Sequence, residues 1–356
     1  MHDYIYSLMT DKRRGSLAGG IKFLLFILSI FYLLGVICLR LLYKFGILES
    51  VRLSKPVISV GNVTLGGVGK TPLVLNISQL LQARGKKPSV LLRGYMPKGN
   101  ERTQSPKSDE AQLLEELLPD VPVGVGKNRL NTARQILLDH DPDVFVLDDG
   151  FQHWRVRRDL NIVAIDAANP FGNGHLLPRG ILREPLYSLR RAHIFVLTKS
   201  DLGHENIKII KSKLNRINSR ATIFQAVHLP QYFQDVHGGQ RYELSNMDKK
   251  TAVSLCAIGD PGSFQKNVRS LGVQVDKDFV FRDHYCYTRD DILRIVKETE
   301  SLGADFIITT HKDAIKLREF KDSIPENLKV LFLHVALQIK ERGNEFIDRL
   351  SGVLNR

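Results

Sequence analysis

One run constrains this chain more than any other: Val57-Ile-Ser-Val-Gly-Asn-Val-Thr-Leu-Gly-Gly-Val-Gly-Lys-Thr-Pro72. Val57 to Val60 predicts a short buried strand. Gly66, Gly67 and Gly69 let the backbone turn tightly with its N–H groups pointing inward, and Val68 sits among them. Lys70 and Thr71 follow, and Pro72 suits a first helical turn. A strand, a glycine-rich turn, Gly-Lys-Thr and a helix together predict a phosphate-binding loop. Its amides and helix N-terminus hold α/β-phosphates, Lys70 reaches the β/γ-phosphates, and the Thr71 hydroxyl ligates Mg²⁺. The usual pattern wants glycine at the position of Thr64. A bare turn that binds nothing would have no need for Lys-Thr at its helix entrance.

A loop of this kind lives in a parallel α/β sheet, and the chain continues accordingly. Pro88 to Leu92, Val144 to Leu147, Ile162 to Ile165 and Ile194 to Leu197 predict short apolar strands. Asp109 to Leu118 and Asn128 to Asp139 carry helical spacing between them. Buried strands alternating with helices mean a sheet covered on both faces. The stretch 207–250 is more polar and predicts a linker. A second α/β series follows, with strands at 252–258, 306–309 and 330–333 and a last helix at about 340–350. At 356 residues there is room for two cores. The expected division is residues 1–50 as a membrane-anchoring segment, 51–225 as a phosphate-loop domain, and 226–356 as a smaller α/β domain that includes the linker.

Near the N-terminus Phe23 to Leu39 carries no charge, and 21–43 includes only Lys22 and Arg40. At 1.5 Å per residue the wider stretch reaches roughly 34 Å, enough for a bilayer core. A cleaved signal peptide fits less well, because the run is long and no small-residue cleavage site follows. A helix lying in the interface would have only Ser29 and Gly35 for a polar face. The expectation is a single membrane-anchoring helix. The net charge of +13 points to an anionic partner such as nucleotide, phospholipid or anionic lipid. No nucleic-acid module is visible, so nucleic acid ranks last. Cys38, Cys256 and Cys286 are far apart and form no metal-ligand pattern, which suits a reduced compartment.

Candidate chemistry gathers at strand ends. Asp148 and Asp149 end an apolar strand, where a carboxylate commonly helps hold Mg²⁺. Arg93 follows another strand, where open α/β sheets bind ligands. Gln152, His153 and the run Phe171-Gly-Asn-Gly174 follow strands too. Taken singly, each reads as a satisfied loop residue, and Arg183-Glu184 reads as an ion pair. Asp109 opens a helix, where acids are favourable by about 0.3–1 kcal/mol. The sharper reading makes it a general base. His284, in Asp283-His-Tyr285, lies between a strand and a helix. Thr198-Lys-Ser-Asp201 resembles a GTPase base-reading motif over four residues.

Together these runs resemble one family. They are Gly-Asn-Val-Thr-Leu-Gly-Gly-Val-Gly-Lys-Thr-Pro, Leu-Arg-Gly-Tyr, Ser-Asp-Glu, Leu-Asp-Asp-Gly-Phe-Gln-His, Phe-Gly-Asn-Gly-His-Leu-Leu-Pro-Arg-Gly-Ile-Leu-Arg-Glu-Pro, Asp-His-Tyr and Thr-Thr-His-Lys-Asp-Ala. In this order the chain closely resembles the tetraacyldisaccharide 4′-kinases of lipid A biosynthesis. The resemblance runs from about Ile21 to Lys316, and Asp148 to Pro185 is its most specific part. It implies a P-loop NTPase-like, mostly parallel domain, a smaller second α/β domain with a cleft between the two, and an N-terminal membrane helix.

The resemblance also implies activity, partners and roles. The activity is transfer of the ATP γ-phosphate to the 4′-hydroxyl of a tetraacylated glucosamine disaccharide 1-phosphate. The place is the bacterial inner membrane, with the active site facing the cytoplasm and no obligate protein partner. Lys70 and Thr71 would serve ATP and Mg²⁺, with Asp148 and Asp149 in the metal region. Asp109 would be the base and His284 its partner. Arg93, Tyr95, Arg129, Gln152, His153 and Asn173 would lie near the disaccharide and its phosphate. The chain departs from the family at Leu92, where serine is common, at Tyr285, where a second histidine is, and at His311, where glutamate often stands. Two other classes compete: a membrane-tethered GTPase switch reading guanine through Thr198 to Asp201, and a nucleotide-binding module without transfer activity. The second leaves Asp148 to Pro185 unexplained.

Overall fold

The computed structural model describes residues 2–94 and 108–354. Tyr95, expected near the disaccharide, lies outside the described residues. The chain opens with helices α1 (His2–Met9) and α2 (Ser16–Lys44), then β1 (Val57–Gly61), α3 (Lys70–Ala83) and β2 (Pro88–Leu92). Next come α4 (Asp109–Leu117), β3 (Val123–Val125), α5 (Arg129–Asp139), β4 (Val144–Asp148), β5 (Leu160–Asp166) and β6 (Ile194–Thr198). The stretch expected as a linker instead carries α6 (Ile207–Ile217), the long strand β7 (Thr222–Asp235) and β8 (Arg241–Tyr242). The remainder is β9 (Thr251–Cys256), α7 (Pro261–Ser270), β10 (Gln274–Val280), α8 (Arg289–Ser301), β11 (Phe306–Thr310), α9 (His311–Leu317), β12 (Lys329–Ile339) and α10 (Gly343–Ser351).

The elements sort into two compact units that do not follow linear order. One takes the described residues of Met1–Tyr95, Asp120–Val227 and Gln338–Arg356, and the other those of Met96–Pro119 and His228–Leu337. So α4, which begins at Asp109, groups with the second unit, while α10 groups with the first and packs on α3. β7 and β12 each have residues in both units.

In the first unit the strand order is β7-β6-β5-β1-β4-β2-β3, all neighbours parallel. β1, β2, β4 and β6 are buried at every residue, as strands covered on both faces must be. Gly61 ends β1 against Phe151. A Cβ there would lie 2.5 Å from the Phe151 Cβ, so no other residue fits without moving the backbone. In the second unit β10-β9-β11-β12 run parallel, with β8 antiparallel to the distal end of β7. Its core includes Leu255, Tyr287, Ile292, Ile307 and Phe332.

Helix α2 is long and apolar enough to cross a membrane. One side faces its own unit. Phe26 meets His175 edge-on, the Tyr32 hydroxyl donates to the Arg183 carbonyl at 2.9 Å, Arg40 lies over Tyr187, and Tyr43 stacks on Trp154. On the other side Phe23, Leu24, Phe31 and Leu34 are exposed.

Candidate active site

The phosphate loop is built as its sequence predicts. Gly66 (φ 106°) and Gly69 (φ 80°) take left-handed conformations that favour glycine, and α3 starts at Lys70. Thr64, where the usual pattern has glycine, forms an isolated antiparallel bridge with Leu182, an extended pairing that needs no glycine. Leu65 N–H donates to the Ile181 carbonyl at 2.7 Å, so the loop is tied to the run 171–185.

Asn62 is the hub that sequence reasoning passed over. It is wholly buried, and its side-chain oxygen accepts from Lys70 Nζ at 3.2 Å and Arg183 at 3.3 Å. Its amide donates to the Thr64 carbonyl at 2.6 Å, and its own carbonyl accepts from Gln152 at 2.8 Å. The available signal was a polar residue one step past a fully buried strand, which must find partners if it is buried too.

The two adjacent aspartates have different jobs. Asp149 (φ 49°) is gripped by Arg183 through two hydrogen bonds, at 2.7 and 3.1 Å, with Lys70 3.8 Å away. Burial would raise its pKa, but Arg183 and Lys70 outweigh it and hold the carboxyl below its usual value. Asp148 is the reverse case. Burial pushes it up to about 6, the neighbouring Asp149 adds to the rise, and Lys70 only partly offsets it. Arg183 therefore pairs with Asp149 and not with Glu184, whose carboxylate is bound by Arg191 at 2.9 and 3.0 Å.

These differences bear on Mg²⁺. Among the described residues no group of three or more His, Cys, Asp or Glu side chains could hold a metal by itself. Mg²⁺ usually keeps waters and uses one or two protein oxygens plus substrate phosphates, so a sparse donor set is what it takes. Asp148, buried and, unlike Asp149, gripped by no guanidinium among the described residues, fits a cation, and Thr71 stands in the first turn of α3. Asp149 is already neutralised by Arg183.

Arg129, Gln152 and His153 lie in the same unit and share a feature. Arg129 Nε, Gln152 Oε1 and His153 Nε2 are buried without a protein hydrogen-bond partner. Arg129 otherwise donates to the Asp148 carbonyl at 2.7 Å and lies 3.4 Å from His153 Nδ1. Burial, then the charges of Arg129, Arg158, Arg155 and Arg93, hold the His153 pKa down at about 4, so its ring is neutral near pH 7. Arg93 is exposed at the end of β2. Among the described residues, Arg93, Arg129 and these buried polar atoms without a protein hydrogen-bond partner form a polar, basic group in this unit. Asn173 is committed elsewhere. Its amide donates to the Met9 carbonyl at 2.7 Å and to Asp11 at 3.0 Å, and Arg179 also grips Asp11.

In the second unit, Ser108 caps α4 by accepting from Ala111 N–H. The carboxylates of α4 then meet the basic side chains of α9 and the residue after it. Asp109 pairs with Lys316 at 2.8 Å, Glu110 with Lys312 at 3.4 Å, and Glu116 with His311 at 3.1 Å and Arg318 at 2.7 Å. His284 (φ 62°) brings Nδ1 to 3.3 Å from Asp109 and Nε2 to 3.4 Å from Glu110. Burial opposes ionisation of Asp109, but His284 and Lys316 outweigh it and hold the carboxyl far below the usual range. The hydrogen bond that His284 donates to Asp109 in turn raises the His284 pKa, against the opposing effect of burial. Lys312 and Lys316 carried no sequence signal for this pairing beyond their positions on one short helix.

Comparison with known proteins agrees with this geometry. The family described as tetraacyldisaccharide-1-P 4′-kinase matches residues 21–354. A tetraacyldisaccharide 4′-kinase of Halothermothrix orenii is 32% identical over 365 residues, covering 96% of this chain and 95% of the relative. One from Syntrophus aciditrophicus is 36% identical over 336 residues, covering 89% of each. A crystal structure of "apo" form LpxK from Aquifex aeolicus in complex with ATP gives a TM-score of 0.73 at 27% identity, covering 94% of this chain and 99% of that one.

Proposed function

We propose, from the premise that this chain belongs to the tetraacyldisaccharide 4′-kinase family, that its phosphate loop grips ATP while Asp109 takes the acceptor's proton. The chain is an ATP-dependent lipid kinase: it transfers the γ-phosphoryl group to the 4′-hydroxyl of a tetraacylated glucosamine disaccharide 1-phosphate. The bond from the γ-phosphorus to the β,γ-bridging oxygen breaks, ADP leaves, and the hydroxyl oxygen forms the new bond as its proton departs. The observation that carries this reading is the phosphate loop with Lys70 at the head of α3, set in a chain that matches the family over residues 21–354.

Phosphoryl transfer needs charge neutralisation and alignment more than covalent chemistry. Lys70 supplies a cation beside the loop, and Asn62 and Asp149 orient it. Mg²⁺, held by Thr71, Asp148 and phosphate oxygens, would neutralise charge developing on the nucleotide. Arg93, Arg129, Gln152 and His153 would receive the disaccharide and its phosphate. Asp109 stays ionised at working pH and can accept the hydroxyl proton, while His284 fixes its orientation. The GTPase alternative is not favoured, since the family match spans nearly the whole chain and the guanine-reading resemblance only four residues.

The acyl chains of the substrate stay in the bilayer, so the enzyme must come to them. The outward apolar face of α2 and the net charge of +13 support attachment to the bacterial inner membrane, with the nucleotide site on the cytoplasmic side. The test is incubation with ATP, Mg²⁺ and the lipid disaccharide, followed by mass spectrometry of the lipid. A product carrying one added phosphate is expected. Nucleotide consumption with the lipid unchanged would overturn the reading.

A further inference from the structure

Thr198 and Lys199, the residues that suggested a guanine reader, face the phosphate loop. The Thr198 hydroxyl donates to the Val68 carbonyl at 2.8 Å, and Lys199 Nζ donates to the Gly67 carbonyl at 3.0 Å. Both residues are buried, and the Lys199 ammonium is also bound by Asp166 at 2.6 Å. Lys199 takes a left-handed backbone conformation, φ 52°, to make this reach, whereas Asp201, the would-be base reader, is exposed.

A loop can point its N–H groups at an anion only if its carbonyls point away. Carbonyls turned toward a buried wall cost free energy unless donors meet them there. Thr198 and Lys199 are those donors for the two residues that precede Gly69. We propose that Thr198 and Lys199 are positioning residues for the nucleotide: they anchor the carbonyls of Gly67 and Val68, so that the loop amides converge on the phosphates. Asp166 fixes the ammonium and Lys199 adds positive potential behind the loop. This inference rests on the reading that residues 66–71 hold the phosphates of ATP.

The test compares nucleotides that differ in phosphate content. Affinities for ATP, ADP and adenosine are measured by competition on the full-length protein in detergent. The variants are Thr198→Val, Thr198→Ser, the charge-neutral pair Lys199→Met with Asp166→Asn, and Lys70→Ala. A hydrogen bond from a charged donor is worth about tenfold or more in affinity, and one from a hydroxyl about two- to tenfold. The charge-neutral pair should therefore weaken ATP and ADP about tenfold or more, and Thr198→Val by less. Adenosine should be unaffected in each, and Thr198→Ser should restore the loss. Melting temperatures separate folding defects from positioning. The inference fails if Thr198→Val and the charge-neutral pair bind ATP like the wild type, or lose adenosine and ATP in equal measure. If Lys70→Ala also binds ATP normally, the phosphate-loop reading itself has failed. If Lys70→Ala loses ATP while the other variants keep it, only the positioning role is lost.

Discussion

The hydroxyl of Tyr32, midway along the apolar helix α2, donates to the backbone carbonyl of Arg183, whose guanidinium holds Asp149 beside the phosphate loop. Two hydrogen-bonded steps thus join the apolar helix to the carboxylate beside the glycine-rich loop. Tyr32→Phe removes only the donor, and a single neutral hydrogen bond is worth about 0.5–1.5 kcal/mol. The expected result is a kcat lowered about two- to tenfold with membrane partitioning unchanged. An equal fall in membrane partitioning would show that Tyr32 serves attachment rather than the site.

Lys70→Ala should abolish lipid phosphorylation in a folded protein. It removes the cation that Asn62 and Asp149 hold at the head of α3. A variant with native melting behaviour and near-normal turnover would remove Lys70 from the mechanism.

Asp109→Asn keeps the shape of the side chain and removes its charge. Loss of a general base typically costs about 10²–10⁴-fold in rate, so kcat should fall by that order with ATP affinity nearly intact. His284→Ala should add little on top of Asp109→Asn, because the pair at 3.3 Å acts as one unit. Fully additive losses would disprove the coupling. A helix-zipping role through Lys316 predicts the opposite pattern, a lower melting temperature with kcat kept. The pair also sets a pH dependence. His284 is raised by its partner, so its stabilising contribution is full below about pH 6.5, its ordinary value. That contribution is lost as pH rises through the higher folded-state value.

Asp148 makes a separate prediction. Its carboxyl is pushed up to about 6 in the folded chain, so the folded state binds a proton there more tightly than the unfolded state does. Stability from this group is therefore greatest at low pH and declines as pH rises from the ordinary value toward 6. Holding Mg²⁺ requires the ionised form, so apparent Mg²⁺ affinity should weaken as pH falls through about 6. Calorimetric Mg²⁺ titrations in the presence of ATP, from pH 5 to 8, check it. Asp148→Asn should abolish that pH step, and a step that survives the substitution would assign it to another group.

How much of this was legible depends on the kind of signal. β1, β2, β4 and β6 were readable because strands buried on both faces become mostly apolar runs, broken inside only by a small serine at Ser59 and Ser89. β7 was not, because most of its 14 residues are only half-buried, and a polar half-buried strand looks like a linker. β3 has three residues, too few for any periodicity. Lys70 and His284 could be singled out since they sit where strands hand over to helices, and Asp148 since it is a carboxylate ending an apolar strand. The pairing of Asp149 with Arg183 and of Asp109 with Lys316 could not be read, because these partners lie 34 and 207 positions along the chain. No motif announces the contact of Asn173, whose amide donates to the N-terminal turn at Met9 and Asp11, more than 160 positions away.

Asp149, Lys199 and His284 share the left-handed backbone conformation described above, at φ 49°, 52° and 62°. Each residue with a Cβ forfeits about 1–2 kcal/mol there, a cost that glycine escapes. Asp149→Gly, Lys199→Gly and His284→Gly would each relieve that strain while deleting a carboxylate, an ammonium or an imidazole. Two of the three also complete a largely buried ion pair, Asp149 with Arg183 and Lys199 with Asp166, so glycine there would strand a charge and cost about 3–5 kcal/mol, more than the strain it relieves. At Asp149 and Lys199 the backbone strain is the smaller quantity, and a screen for heat resistance would keep both side chains as firmly as a screen for turnover would.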